Sequence, residues 1–201
     1  MSDDEATNGP GVVAEATGSA KPRRVAPIIV LVVAVVIAGF FWILISAKSG
    51  EKADTADSPL LGNPAPAVRA ATLDGSSFDL QRRKGSWVVL NFFNSTCVPC
   101  VKEHPELVKF ADQQSQLPDG AELYTVINYD SKSNVESFFT TNGGTWPVVA
   151  DDDANIAVAF GVSKVPETWI IDPAGYVVQR AIVGLTADSL TRLLEQAKAA
   201  E

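Results

Sequence analysis

The sequence predicts an α/β domain with a sheet of mixed strand direction, carried behind a single membrane-spanning helix. Three observations predict it. An apolar run of eighteen residues, Ile28 to Ile45, holds no charge; apolar strand-like runs alternate with helix-like segments from Trp87 onward; and a last hairpin signal precedes a closing helix. Net charge is −8, which argues against nucleic acid, whose binding rests on clustered Lys and Arg.

Residues 1–25 are polar, rich in Gly, Ala and acidic residues, and lack apolar periodicity, so they are expected to be a disordered cytoplasmic tail. The anchor is assigned to 26–47. At about 1.5 Å per residue its uncharged run spans roughly 27 Å, and the flanking residues bring it near the ~30 Å hydrocarbon thickness. Trp42 lies near the far end, where an indole favours the interface. Lys21, Arg23 and Arg24 precede the run against Lys48 and Lys52 after it, which puts the N-terminus inside. The competing reading is a cleaved signal peptide ending at Ile45-Ser46-Ala47. The apolar run is longer than the usual core of about 7–15 residues, which favours the anchor. Residues 48–59 are assigned as linker, with tether-like composition continuing to 66, and 60–201 as the domain.

Within the domain, Val68 to Leu80 carries a hairpin signal around Asp74-Gly75. Trp87 to Phe93 is nearly continuous in apolar residues, as in a central strand covered on both faces. A helix follows from about Val98 into the Phe110 region, then a strand over Ala121–Asn128. Helices are predicted over Asn134–Thr141 and Asn155–Phe160, the second stopped by Gly161. Thr168–Asp172 reads as a strand, Tyr176–Val183 as its antiparallel return, and Thr186–Ala199 as the closing helix. Asp151-Asp152-Asp153 reads as a solvated turn with Asp153 at the next cap, and Arg82-Arg83-Lys84 as an exposed loop.

The two cysteines stand together as Cys97-Val98-Pro99-Cys100, between the strand and the helix. A bond between them closes too small a loop to be a framework. Cys97 at a helix N-terminus meets unpaired N–H groups and the positive end of the macrodipole, which favour a thiolate. Cys97 is therefore the candidate attacking sulfur and Cys100, one turn later, the resolving one; Pro99 fixes the backbone between them. A zinc site needs four protein ligands, and His104, the single histidine, adds at most a third; no metal or cofactor is expected. His104 reads instead as a surface helix residue. Glu103, three residues after Cys100, is either a proton acceptor for Cys100 or a solvated helix charge. Pro166 is either a turn proline before a strand or a cis proline.

The stretch WVVLNFFNSTCVPCVKEHPEL, Trp87 to Leu107, and the later FGVSKVPETWIIDPAGYVV resemble the TlpA, ResA and DsbE (CcmG) type of membrane-anchored thioredoxin-like oxidoreductases. The resemblance covers roughly Leu60 to Ala197. It implies a thioredoxin fold with an N-terminal β-hairpin extension around Asp74-Gly75. It also implies that Pro166 is a cis proline facing the disulfide and that Glu103 is the acidic residue beside the site. Asn91 falls where ordinary thioredoxins carry a buried aspartate. Client contacts are implied at Thr96, Val98, Pro99, Val165 and Pro166. Thr96 departs from the family's usual tryptophan, which changes the surface a partner meets. The implied partners are a disulfide-bearing client, the C-x-x-C-H segment of apocytochrome c being the family's best-known one, and a thiol donor in the membrane. VPET and Asn128-Tyr129-Asp130 lean towards the cytochrome c maturation branch.

Rival readings fit less well. A peroxidase of this fold places a threonine three positions before its cysteine, whereas Thr96 adjoins Cys97. A copper chaperone needs three residues between its cysteines and a distant histidine. General extracytoplasmic disulfide exchange or oxidation, or a non-peroxidase redoxin-like module that binds a metal or a partner, remain as alternatives.

Overall fold

The computed structural model describes residues 26–46, 56–182 and 184–200; in the first segment, side chains are described for 27–40. The assigned tail, the interfacial Trp42, the flanking basic residues and most of the linker lie outside those limits. Helix α1, Ala26–Ser46, is 21 residues long. Its described side chains, 27–40, are all exposed. Among the described residues no helix is long and apolar enough to cross a membrane.

The C-terminal unit is a mixed α/β fold of the thioredoxin kind. Its elements are β1 (Arg69–Ala71), β2 (Ser77–Asp79), β3 (Val88–Phe93), α2 (Val98–Ser115), β4 (Glu122–Ile127), α3 (Lys132–Asn142), β5 (Val148–Val149), α4 (Asn155–Phe160), β6 (Glu167–Ile171), β7 (Val177–Ala181) and α5 (Ala187–Lys198). The main sheet runs β5-β4-β3-β6-β7. β3 pairs parallel with β4 and antiparallel with β6, and β6 pairs antiparallel with β7. All six residues of β3 are buried, as its unbroken apolar run predicts for a strand covered on both faces.

Alternation along the strands builds two cores. Leu90, Phe92, Val126, Trp169 and Ile171 face α4 through Ile156 and Phe160. Val89, Leu123 and Ile170 face α2 and α5 through Leu107, Phe110, Leu190 and Leu194. Each such large side chain contributes about 1.5–3 kcal/mol on burial. A smaller cluster of Phe93, Ile127, Val135 and Val148 surrounds Cys100.

The predicted hairpin is β1–β2, with Gly75 at φ +83° and the Asp74 carboxylate accepting the Ser76 N–H at 2.9 Å. It is tied to the β5 edge by Leu73 N–H to Val148 O at 2.8 Å and Ala150 N–H to Ala71 O at 2.9 Å. Thr186 caps α5 in a reciprocal box with Ser189.

Three sequence expectations need correction, and one strand carries no sequence signal. β5 was not predicted, because two residues carry no periodicity. Asp151, not Asp153, serves α4: its two carboxylate oxygens each accept at 2.9 Å, from Ile156 and Ala157 N–H, across a left-handed Ala154. Leu80–Arg83 is a 3-10 turn rather than a plain loop, with Arg83 Nη1 3.5 Å from Glu122 Oε2. The tether-like composition up to 66 conceals packed chain. Gly62 N–H donates to Val177 O at 2.8 Å and Ala65 N–H to Gly175 O at 2.8 Å, along the free edge of β7.

Candidate active site around Cys97 and Cys100

β3 delivers the chain at Phe93, and α2 starts at Val98, after four intervening residues. Cys97 is the N-cap of α2, with an extended backbone and its Sγ accepting the Cys100 N–H at 3.3 Å. A sulfur thereby takes the capping place usually held by an oxygen, on one of the N–H groups that a helix start leaves free. Cys97 and Cys100 are joined as a disulfide with Cα atoms 5.2 Å apart. Cys97 is half-buried and Cys100 has no exposure. The loop between strand and helix is held by Asn94: its Oδ1 accepts Thr96 N–H at 2.9 Å and Thr96 Oγ1–H at 2.7 Å, while its carbonyl accepts Cys97 N–H at 3.1 Å.

The peptide bond between Val165 and Pro166 is cis, so the plain turn reading is set aside. Val165 O lies 3.5 Å from Cys97 Sγ; Val165 is half-buried and Pro166 buried. Thr96, Val98 and Pro99 are exposed.

Glu103 is 3% exposed, which excludes a solvated helix charge. Its Oε1 accepts Leu185 N–H at 3.0 Å and its Oε2 accepts from Asn91 Nδ2 at 3.3 Å. Burial pushes its carboxyl up to about 7, against the pull of those two hydrogen bonds. Asn91 also donates to Thr168 Oγ1 at 3.0 Å, and its own Oδ1 is buried without a protein partner. The carboxyl is thus buried one helical turn from Cys100, with its proton affinity near neutrality.

His104 is not on the surface, contrary to the sequence expectation: it is 1% exposed. Its ring packs against Phe138 and Phe139 at 4.8 and 4.9 Å, and Nε2 lies 2.9 Å from Gly143 O. Burial lowers its proton affinity, so the ring is neutral. The signal was available. The buried residues of α2 are Cys100, Glu103, His104, Leu107, Phe110 and Gln114, an inward stripe at spacings of three and four that includes three polar side chains. Trp146 is likewise a core position, its Nε1–H donating to Thr125 Oγ1 at 2.9 Å.

Two further features went unread. Glu167, directly after Pro166, is fully buried and accepts from Arg180 Nε and Nη2 at 3.0 and 3.2 Å. Arg180 also donates to Asp57 O at 2.8 Å, fastening the incoming chain to the same strand pair. Asp130 Oδ2 accepts Ser95 N–H at 2.6 Å, joining the turn after β4 to the cysteine loop. Among the described residues no group of three or more His, Cys, Asp or Glu is placed to hold a metal ion.

This arrangement defines a thioredoxin-fold thiol–disulfide exchange site, and comparisons with known proteins agree. The AhpC/TSA family matches residues 61–180. The thiol:disulfide interchange protein HelX of Rhodobacter capsulatus is 30% identical over 179 residues, covering 88% of this chain and 95% of that protein. The thiol-disulfide oxidoreductase ResA of Bacillus subtilis is 34% identical over 130 residues, covering 64% of this chain and 70% of that protein. Among solved structures, the thioredoxin domain of a thiol-disulfide oxidoreductase from Bacteroides vulgatus superposes with a TM-score of 0.60 at 25% identity. It covers 69% of this chain and 98% of that one. The chain belongs to the AhpC/TSA family, and within it to the TlpA/ResA/DsbE-type thiol–disulfide oxidoreductases.

Proposed function

We propose that this oxidoreductase works outside the cytoplasm, held by a single-pass anchor at 26–47, and reduces disulfides of client proteins such as the C-x-x-C-H segment of apocytochrome c. The observation that carries the reading is the asymmetry of the sulfur pair: Cys97 is half-buried at the helix cap, and Cys100 has no exposure at all. In the reduced protein the Cys97 thiolate attacks one client sulfur. The client S–S bond breaks, a mixed disulfide forms, and a client thiolate leaves. Cys100 then gives its proton to Glu103 and attacks Cys97 Sγ, which breaks the mixed disulfide and releases the second client thiolate. Two electrons have passed to the client, and Cys97–Cys100 is oxidised; a thiol donor in the membrane restores the dithiol. Thr96, Val98, Pro99, Val165 and Pro166 form the client-facing rim. The direction of exchange and the client rest on the likeness of VPET and Asn128-Tyr129-Asp130 to the cytochrome c maturation branch.

Trapping tests the division of labour. Cys100→Ser is expected to accumulate a covalent adduct with an oxidised C-x-x-C-H peptide, visible without reductant and lost on adding it. Cys97→Ser should trap little. Equal trapping by both variants would mean the nucleophile is wrongly assigned; no adduct from either would remove the exchange reading. For location, a C-terminal reporter active only after export should be active; one active only in the cytoplasm giving signal instead would overturn the topology.

A further inference from the structure

Tyr129 stands out on two counts that the exchange chemistry does not use. At 81% it is the most exposed of the large hydrophobic side chains among the described residues. Its backbone also sits at φ +49°, in the left-handed region that bulky side chains avoid and that Gly or Asn fills with less strain. Folding alone would favour a smaller residue here. An aromatic ring that is neither buried nor conformationally comfortable points to a use outside the fold.

Its position says which use. β3 and β4 are parallel and end together, Phe93 opposite Ile127. The cysteine loop leaves one strand end and the Tyr129 turn leaves the other, so both emerge at the carboxyl edge of the sheet, where ligands of such sheets bind. The two are locked together. Asn94 Nδ2 donates to Asn128 O at 3.1 Å and to Tyr129 O at 2.9 Å, and the same residue's carbonyl takes the Cys97 N–H at 3.1 Å. Asp130 ties Ser95 N–H at 2.6 Å and also accepts Ser131 N–H at 2.8 Å and Asn134 Nδ2 at 3.2 Å. Asn94 alone therefore links the Tyr129 backbone to that of Cys97. Val98, next to the sulfur, is 63% exposed.

We infer that Tyr129 is a specificity-determining residue for the exchange reaction: its ring, held beside the Cys97 loop, receives the polypeptide flanking the client disulfide. The inference rests on the client reading above and adds to it the residue that separates a protein disulfide from a small one. An exposed aromatic face gives apolar contact and stacking to a peptide side chain or backbone. A small disulfide has no flanking chain to place there.

The test uses the full reduced chain and two substrates, an oxidised C-x-x-C-H peptide and hydroxyethyl disulfide, with melting temperature measured alongside. Tyr129→Asn, which tolerates the left-handed backbone, should lower the peptide-to-small-disulfide ratio of kcat/KM by about tenfold, with Tm equal to or above that of the parent. Tyr129→Phe should keep the ratio. An unchanged ratio in Tyr129→Asn would overturn the inference. So would a fall in Tm with both substrates slowed alike, because the ring would then be a fold element. If the parent chain itself shows no preference for the peptide over hydroxyethyl disulfide, the client reading fails and takes this inference with it.

Discussion

Glu103 and Glu106 stand on successive turns of α2, and both accept backbone N–H groups from the connection leading into α5: Leu185 for Glu103 and Ala187 for Glu106, each at 3.0 Å. Their proton affinities nevertheless move in opposite directions. Burial lifts Glu103 to about 7 in spite of its hydrogen bonds. The Ala187 N–H, helped by Lys109, lowers Glu106, which lies nearer solvent. The same donor type in the same segment therefore does not decide the chemistry; the solvation of the carboxylate does. The outer turn is a fastening for α5, and the inner turn holds a buried carboxyl one helical turn from Cys100.

The largest expected effect comes from Glu103→Gln. Resolution of the mixed disulfide should slow by about 10²-fold, the usual scale for losing a positioned base. Stability should move the other way. A carboxyl raised from 4.5 to about 7 binds its proton more tightly in the folded than in the unfolded chain. The fold therefore loses stability as pH rises through that window, by about 3 kcal/mol once the group is fully ionised. Glu103→Gln should accordingly be more stable than the parent at pH 8 and nearly equal to it at pH 4, in denaturant melts at the two pH values. Asn91 can accommodate the new amide, because its Oδ1 has no protein partner and its side chain can turn to present it. A variant less stable than the parent at both pH values would indicate that the carboxyl itself is needed as a brace, whatever its charge.

Glu106→Gln gives the contrasting, smaller effect. It removes a negative charge at the start of α5, where the helix favours one, so a slight loss of Tm is expected with exchange rates unchanged. Slowed exchange in this variant would break the distinction between the two turns.

Much of this was readable in the chain. The β3 run Val88–Phe93, the cysteine motif after it, the α4 stop at Gly161 and the start of the closing helix near Thr186 are local signals, each set by contiguous residues. What escaped was non-local or too short. β5 is two residues long and gains its identity only by pairing with Thr125 and Val126. Glu103 and His104 look like ordinary helix-surface residues one at a time, and only the spacing of the whole inward stripe shows them buried. The partners that tune Glu103, Asn91 and Leu185, lie 12 and 82 residues away. The chain ahead of β1 looks like a tether because its composition is polar, yet its backbone finds partners along β7.

The most direct test of the account is the pH dependence of the resolving step alone. A preformed mixed disulfide on Cys97 is followed as Cys100 releases it, in the parent and in Glu103→Gln. If Glu103 takes the Cys100 proton, the parent rate should rise with a midpoint near pH 7, following the carboxyl that burial has lifted there, and then level off. Glu103→Gln should lack that inflection and depend on pH only through ionisation of the buried thiol itself. Coincident profiles in the two proteins would contradict the account.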